Sequence, residues 1–242
     1  MAMVTILGVN GSPRKYGNVS FLLNLALKGA EMEGAKVRII HLYDYDIKPC
    51  LGCLSDDQYA CRYPCVIEDD MRKLYEMVLE SNGIIFATPI YWYAPSGVMK
   101  NFIDRLTVFE NMLYIDGTCW TEGKVAGIIA VGNDSGGVNT FSTLMATLNS
   151  MGFIIPPWAT AVFNKMSDIT KERNVLLDAI NIGRIVTMMS KRVEGLERKW
   201  FKVIGDQELE NMINDIALTV NKEKNTQWPS RKKEILKLRK QQ

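Results

Sequence analysis

The sequence predicts an α/β domain: a parallel sheet of five strands wound doubly, with helices on both faces, followed by a helical C-terminal extension. Three observations carry this. Short apolar runs alternate with amphipathic segments of helical length five times between residues 3 and 193. A strand, a helix and a further parallel strand are joined by a right-handed crossover, so repeated alternation gives a parallel sheet covered on both sides. The composition, 47% apolar and 23% charged over 242 residues, is that of a globular protein able to bury a large core.

The elements follow in order. "MVTILGVNG" (3–11) is an apolar run ending at a glycine turn, and "VSFLLNLALKGAEMEG" (19–34) has helical spacing and stops at Gly34. "KVRIIHLYD" (36–44) is the second strand and "MRKLYEMVLESN" (71–82) the second helix. "GIIFATPIYW" (83–92) is the third strand, and "PSGVMKNFIDRLTVF" (95–109) is helical. "KVAGIIAVGND" (124–134) is the fourth strand, followed by a helix over 137–151. "GFIIPPWAT" (152–160) is expected as a short fifth strand, and 171–193 as a long last helix. These elements form a domain over 1–194. Residues 195–242 form the extension, in which "TQWPSR" (226–231) is expected to turn before a final basic helix.

Charge is unevenly spread. The chain carries a formal +2, yet residues 222–242 hold eight Lys/Arg against two Glu, and the preceding 221 residues sit at −4. Such a tail reads first as a solvated helix or an oligomer arm, and only second as a dock for nucleic acid or an acidic partner. Apolar runs such as "VAGIIAV" (125–131) are too short to span a membrane. The N-terminus lacks the basic region and cleavage site of a signal peptide. A cytoplasmic location is expected, where stable disulfides are uncommon.

In a parallel sheet of this kind ligands bind beyond the carboxyl ends of the strands. After strand one comes "GSPRKYGNVS" (11–20), a Gly/Ser/Asn-rich turn entering a helix. Backbone N–H groups at a positive helix end make an anion site, to which Ser12, Asn18 and Ser20 add side-chain donors and Arg14 a charge. The loop has neither the Gly-Lys-Ser/Thr of a Walker A motif nor a G-x-G-x-x-G fingerprint. After strand three, Tyr91, Trp92 and Tyr93 stand together and form a wall for a flat ring, with backbone N–H groups of 89–93 facing its heteroatoms. After strand four, Gly136 and Gly137 allow a backbone to approach a ligand closely.

"GSPRKYGNVS", then "DDM", then "TPIYWYAPSGVMKNFIDR" resemble the NADPH-dependent FMN reductase family of flavodoxin-like proteins over roughly residues 3–160. The cysteine-rich stretch resembles the iron–sulfur flavoprotein branch. The resemblance implies a flavodoxin-like sheet of order 2-1-3-4-5 and FMN as cofactor. It implies phosphate binding at Ser12, Arg14, Asn18, Val19 and Ser20. Flavin-ring contacts fall on Pro89, Ile90, Tyr91, Trp92 and Tyr93, with further contacts at Ser135, Gly136 and Gly137. It also implies NAD(P)H as a transient co-substrate, small-molecule donors and acceptors, and a homodimer or homotetramer. Hydride transfer is the cofactor's chemistry, so no catalytic acid or base is required of the chain.

"CLGCLSDDQYACRYPC" (50–65) places Cys50, Cys53, Cys61 and Cys65 in one loop. Four thiolates at this density can hold a [4Fe–4S] cluster or a zinc ion, or stand as free redox-active thiols. Seven residues separate Cys53 from Cys61, longer than the compact spacing of the iron–sulfur flavoproteins. Cys119 is isolated and structural. The one histidine, His41, lies in the strand-two pattern and reads as structural. Asp69 and Asp70 read as cap and first-turn carboxylates of the following helix. The leading function is an FMN-dependent oxidoreductase of the NAD(P)H:flavin/quinone type, with a cysteine-held cluster as relay. The alternative is a non-enzymatic flavin/iron–sulfur carrier or redox sensor. A DNA-binding regulator using the basic tail is a weaker third reading.

Overall fold

The computed structural model describes residues 3–240, so the outermost residues of both expected domains, 1, 2, 241 and 242, lie outside the described ones. The first 200 residues form one compact unit and Phe201 onward a second.

The sheet of the first unit is built from β1 (Thr5–Asn10), β2 (Lys36–His41), β3 (Gly83–Tyr91), β5 (Val125–Gly132) and β6 (Thr160–Asn164). These run parallel in the order β2-β1-β3-β5-β6. A two-residue strand β4 (Ala94–Pro95) pairs antiparallel with the end of β3. Without β4 the order is the expected 2-1-3-4-5. The three central strands are buried almost throughout. This is why they read as unbroken apolar runs instead of alternating ones.

On one face lie α1 (Asn18–Met32) and α8 (Arg173–Val193). The other face carries α3 (Met71–Leu79), α4 (Gly97–Arg105) with the one-turn helices α5 (Thr107–Glu110) and α6 (Met112–Ile115), and α7 (Gly137–Ser150). A Cβ added at Gly183 would stand 1.7 Å from the Ala26 carbonyl oxygen, and one at Gly29 2.0 Å from that of Ile180. Helices α1 and α8 therefore touch backbone to backbone, which only glycine permits. A further one-turn helix, α2 (Cys53–Asp56), lies in the long connection after β2.

Two expectations are corrected. The segment 152–160 is not a strand. Ile154 makes a single parallel bridge to Val125, with Ala126 N–H donating to its carbonyl at 2.8 Å. The ladder then stops because Pro156 and Pro157 have no N–H to give, and Trp158 turns the chain with φ of 65°. The chain rejoins the sheet only at Thr160. In the second unit, residues 226–231 are not a turn. They lie inside one continuous helix, α9 (Asp206–Arg239), with Pro229 in its interior. The proline removes the bond to the Asn225 carbonyl, but every described residue of α9 is exposed, so water can take its place.

Candidate functional site

Asn10, at the end of β1, is fully buried and organises the loop that follows it. Its Oδ1 accepts from Ser12 N–H at 2.9 Å, and Ser12 Oγ accepts from Arg14 N–H at 3.1 Å. Asn10 Nδ2 donates to His41 Nδ1 at 3.0 Å, which places the imidazole proton on Nε2. Burial, opposed by the nearby Asp44 carboxylate, holds His41 below its ordinary pKa, so the histidine is a neutral acceptor. The loop delivers the chain to α1 with Gly17 at the N-cap. No side chain caps the helix and no acidic residue stands in its first turn. The first-turn N–H groups and the positive end of the dipole are left for an anion.

That helix end opens into a cleft of about 760 Å³, its mouth included. From the first loop come Ser12, Arg14, Gly17, Asn18 and Val19; from the end of β3, Pro89, Ile90 and Tyr91; from the end of β5, Val131, Gly132 and Asn133. Three loops widely separated in sequence thus meet at the β1/β3 switch point, where strand order reverses. The first two are fastened together. Gly11 N–H donates to the Ala87 carbonyl at 2.8 Å. Ser96 Oγ donates to the Gly11 carbonyl at 2.6 Å and accepts from Met99 N–H, capping α4. Thr88 Oγ1 accepts from Ser96 N–H at 3.0 Å.

Of the other expected cofactor residues, Ser20 does not line the cleft: it is buried in the first turn, with Oγ facing Asn24 Nδ2 at 3.3 Å. Trp92 and Tyr93 form the two-residue turn between β3 and β4, with φ of 50° and 66°. Positive φ at both positions suits Asn-Gly, and for bulky aromatics it costs on the order of 1–3 kcal/mol each. The strain displays two rings to solvent, Trp92 being 93% exposed. Ser135, Gly136 and Gly137 lie outside the lining. Gly136, at the N-cap of α7 with φ of 83°, backs onto the aromatic turn, and a Cβ there would stand 2.9 Å from Tyr93 Cα. Sequence reasoning missed Gly17, Val131, Gly132 and Asn133. The last three lie at the strand's own end, separated from the residues chosen by Asp134.

A second pocket is lined by all four cysteines of the 50–65 loop together with Leu51, Val66, Ile67, Val108 and Arg105. Burial first, then the charges of Cys50, Cys53, Cys65 and Glu110, push the Cys61 thiol up to about 11. The other three cysteines thus lie within electrostatic reach of Cys61. Among the described residues no group of three or more His, Cys, Asp or Glu side chains is set to hold a metal ion. Two backbone and side-chain donors face sulfur: Gly52 N–H to Cys50 Sγ at 3.4 Å and Arg105 Nη2 to Cys65 Sγ at 3.6 Å.

The loop is pinned from α4 and its continuation. Arg105 and Asp69 form a buried ion pair, with side chains 1% and 0% exposed and Nη1–Oδ2 at 2.5 Å. Arg105 Nη1 also donates to the Lys48 carbonyl, and Asp69 Oδ2 accepts from Lys48 N–H. Burial would raise the Asp69 pKa, but the bonds from Arg105, Lys48 and Met71 outweigh it and hold it below the usual carboxylate range. Asp69 is therefore more than the first-turn carboxylate expected, although Met71 N–H does donate to it at 3.0 Å. Asp70 occupies the N-cap position of α3 without a capping bond; it accepts from Asp46 N–H and pairs with Lys73. Asn111, 1% exposed, donates to the carbonyls of Gln58 at 2.8 Å and Cys61 at 2.7 Å. Helix α4 thus has Ser96 at one end, tied to the cleft, and Arg105 at the other, tied to the cysteines. Its nine residues are about 13 Å long.

The family described as NADPH-dependent FMN reductase matches residues 4–168, a stretch containing all three cleft loops and the cysteine loop. The chain belongs to the NADPH-dependent FMN reductase family. An iron–sulfur flavoprotein of Archaeoglobus fulgidus is 37% identical to this family member over 124 residues, 51% of this chain and 52% of that protein. The chain thus spans about half of that relative's length. Among solved structures, RosB with bound 8-demethyl-8-formylriboflavin-5'-phosphate superposes with a TM-score of 0.67 at 17% identity, over 88% of this chain and 87% of the other. A flavodoxin from the domain Archaea gives 0.52 at 14% identity, over 77% and 99%. At these identities the structures bear on the fold alone, and the fold of this FMN reductase family member is flavodoxin-like.

Proposed function

We propose that the protein is an FMN-dependent oxidoreductase that takes electrons from NAD(P)H and delivers them to a small acceptor such as a quinone or free flavin. The observation that carries this reading is the convergence of three strand-end loops on one cleft beside an uncapped helix N-terminus. The FMN phosphate would rest on the first-turn N–H groups of α1, with Ser12 Oγ, Asn18 and Arg14 around it. Pro89, Ile90 and Tyr91 would present backbone to the ring, Trp92 and Tyr93 would shield it at the rim, and Gly132 and Asn133 would close the far side. Ser20, Ser135, Gly136 and Gly137 would support these residues from behind. Bound FMN supplies hydride and single-electron chemistry. The chain's part is to bind and orient, and its one histidine is already engaged by Asn10.

The four cysteines suit a [4Fe–4S] cluster better than zinc. In such a cluster each thiolate binds a different iron, so the sulfurs stand farther apart than around one ion. A shared, largely apolar pocket with N–H donors toward sulfur fits that need. Cys50, Cys53, Cys61 and Cys65 would hold it, and it would store single electrons.

The absorption spectrum, extracted flavin, iron and acid-labile sulfide of anaerobically purified protein test both assignments together with NAD(P)H oxidation by a quinone. Flavin with turnover supports the enzyme. Flavin without turnover by either nucleotide, but with fast reduction by ferredoxin, identifies an electron carrier. Metal-free protein leaves the cysteines as thiols. Replacing Arg14 and Asn18 together by Ala is expected to strip FMN with the far-UV dichroism unchanged; full occupancy in that variant would contradict the cleft assignment.

A further inference from the structure

Among the described residues Arg105 is the largest fully buried side chain, a guanidinium where an apolar group would be expected. Its Nη1 and Nη2 donate to the two carboxylate oxygens of Asp69 at 2.5 and 3.2 Å, and Nη1 also donates to the Lys48 carbonyl at 2.9 Å. Nη2 reaches Cys65 Sγ at 3.6 Å as well, and the buried Nε has no hydrogen-bond partner. A carboxylate and a carbonyl suffice to fasten a loop. They do not explain a donor turned to sulfur, nor an N–H left unmet in the interior, where such a group is costly.

Both features belong to the side chain that lines the cysteine pocket. The other cation of that lining, Arg62, is exposed, and its one carboxylate, Asp104, is paired with Lys100. Burial alone would lower the Arg105 pKa, but the bond to Asp69 and the charges of Tyr75, Cys65 and Asp69 hold it above its ordinary value. Cys65 therefore faces a permanent positive charge. Cys61 faces the reverse, since the charges acting on it, those of the other cysteines and Glu110, are all negative.

An electron added to a cluster held by four thiolates makes an already negative centre more negative. A hydrogen bond or a positive charge at a ligand sulfur stabilises the reduced form more than the oxidised one, and so raises the reduction potential. We propose that Arg105 is a positioning residue that raises the reduction potential of a [4Fe–4S] cluster held by Cys50, Cys53, Cys61 and Cys65, a role that rests on the cluster assignment above and adds to it what sets the direction of electron flow. The flavin, reduced by the nucleotide, gives up one electron and the cluster gains it. Asp69 acts in the opposite sense, since its carboxylate offsets the guanidinium charge.

The test is a potentiometric titration of the anaerobically purified full-length protein. The reduced cluster is read by electron paramagnetic resonance, with the flavin absorbance as internal reference. Arg105→Gln leaves the Asp69 carboxylate uncompensated and is expected to shift the cluster's one-electron equilibrium about tenfold toward the oxidised form. Asp69→Asn leaves the guanidinium uncompensated and is expected to shift it toward the reduced form. Both variants break the same ion pair, so shifts of opposite sign separate tuning from fastening. A loop merely loosened moves the potential the same way in both, or in neither. Should Arg105→Gln fail to hold the loop, Arg105→Met with Asp69→Leu buries no charge and is expected to shift the equilibrium toward the oxidised form through the lost N–H to Cys65. Unchanged cluster potentials, or shifts of one sign in Arg105→Gln and Asp69→Asn, would overturn the proposal and leave the cluster assignment standing. Wild-type protein without iron and acid-labile sulfide would instead remove the cluster assignment, and this role with it.

Discussion

The cleft and the cysteine pocket sit at opposite ends of α4 and are built by different means. The cleft is backbone shaped by short loops: an asparagine turn, an uncapped helix end and a strained aromatic hairpin, each local in sequence. The cysteine pocket is an irregular loop held in place by buried polar side chains from residues 36 to 53 positions away. A loop at the end of a buried strand inherits its position from the sheet. One that leaves the sheet for nearly thirty residues, from 42 to 70, must be fastened, and here Arg105 and Asn111 do it. The seven-residue gap between Cys53 and Cys61 is accommodated by this means. Asn111 grips the gap at Gln58 and at Cys61 itself.

The comparison breaks most sharply at Arg105–Asp69. Asp69→Asn leaves a buried guanidinium without its counter-charge and is expected to cost about 3–5 kcal/mol in denaturant unfolding. Replacing both partners by apolar residues, Arg105→Met with Asp69→Leu, is expected to recover much of that loss. If the double variant is as unstable as the single one, the pair is not what fastens the loop. The same pair gives a pH signature. A carboxylate whose folded pKa is depressed contributes its stability above its unfolded value, near about 4. That contribution is lost as pH falls through the lower folded value, so wild type should lose stability faster than Asp69→Leu/Arg105→Met on acidification.

Next is Asn111→Ala, which leaves two carbonyls unbonded and is expected to cost about 1–3 kcal/mol. Its distinguishing readout is local: Cys61 should react faster with a thiol reagent while FMN titration is unchanged. Equal loss of flavin affinity would mean that cleft and pocket are not separately built. Ser96→Ala touches the other end of α4 and is expected to cost about 1–2 kcal/mol as a lost cap, with weaker FMN binding and unaltered cysteine reactivity. The smallest effect has the opposite sign. Trp92→Gly relieves positive φ and should stabilise the flavin-free protein by about 1 kcal/mol while loosening FMN, read by thermal melts with and without cofactor.

Much of the cleft could be read in the chain because its causes are local. The run from Gly11 to Ser20 and the run from Pro89 to Tyr93 carry their turn chemistry in adjacent residues. The third loop shows the limit: glycines mark close packing, and here Gly136 packs against Tyr93 and Gly137 against Val162, while Val131–Asn133 line the cleft. Arg105 read as an ordinary helix residue and Asp69 as a cap, because neither position announces a partner 36 residues away. Asn111 carried no signal at all.

The sequence by itself determined the strand and helix alternation and the parallel sheet, since apolar periodicity and turn residues act over a few positions; the strand order and the family came from the resemblance of its loop motifs. It also placed four cysteines in one loop and an acidic and a basic half in the extension. Only the tertiary structure decided which residues face the cleft, that prolines 156 and 157 interrupt the last strand's approach, that Pro229 lies within a continuous helix, and that a buried ion pair and one asparagine hold the cysteine loop. Those outcomes depend on which groups are desolvated together, and desolvation belongs to the packed chain.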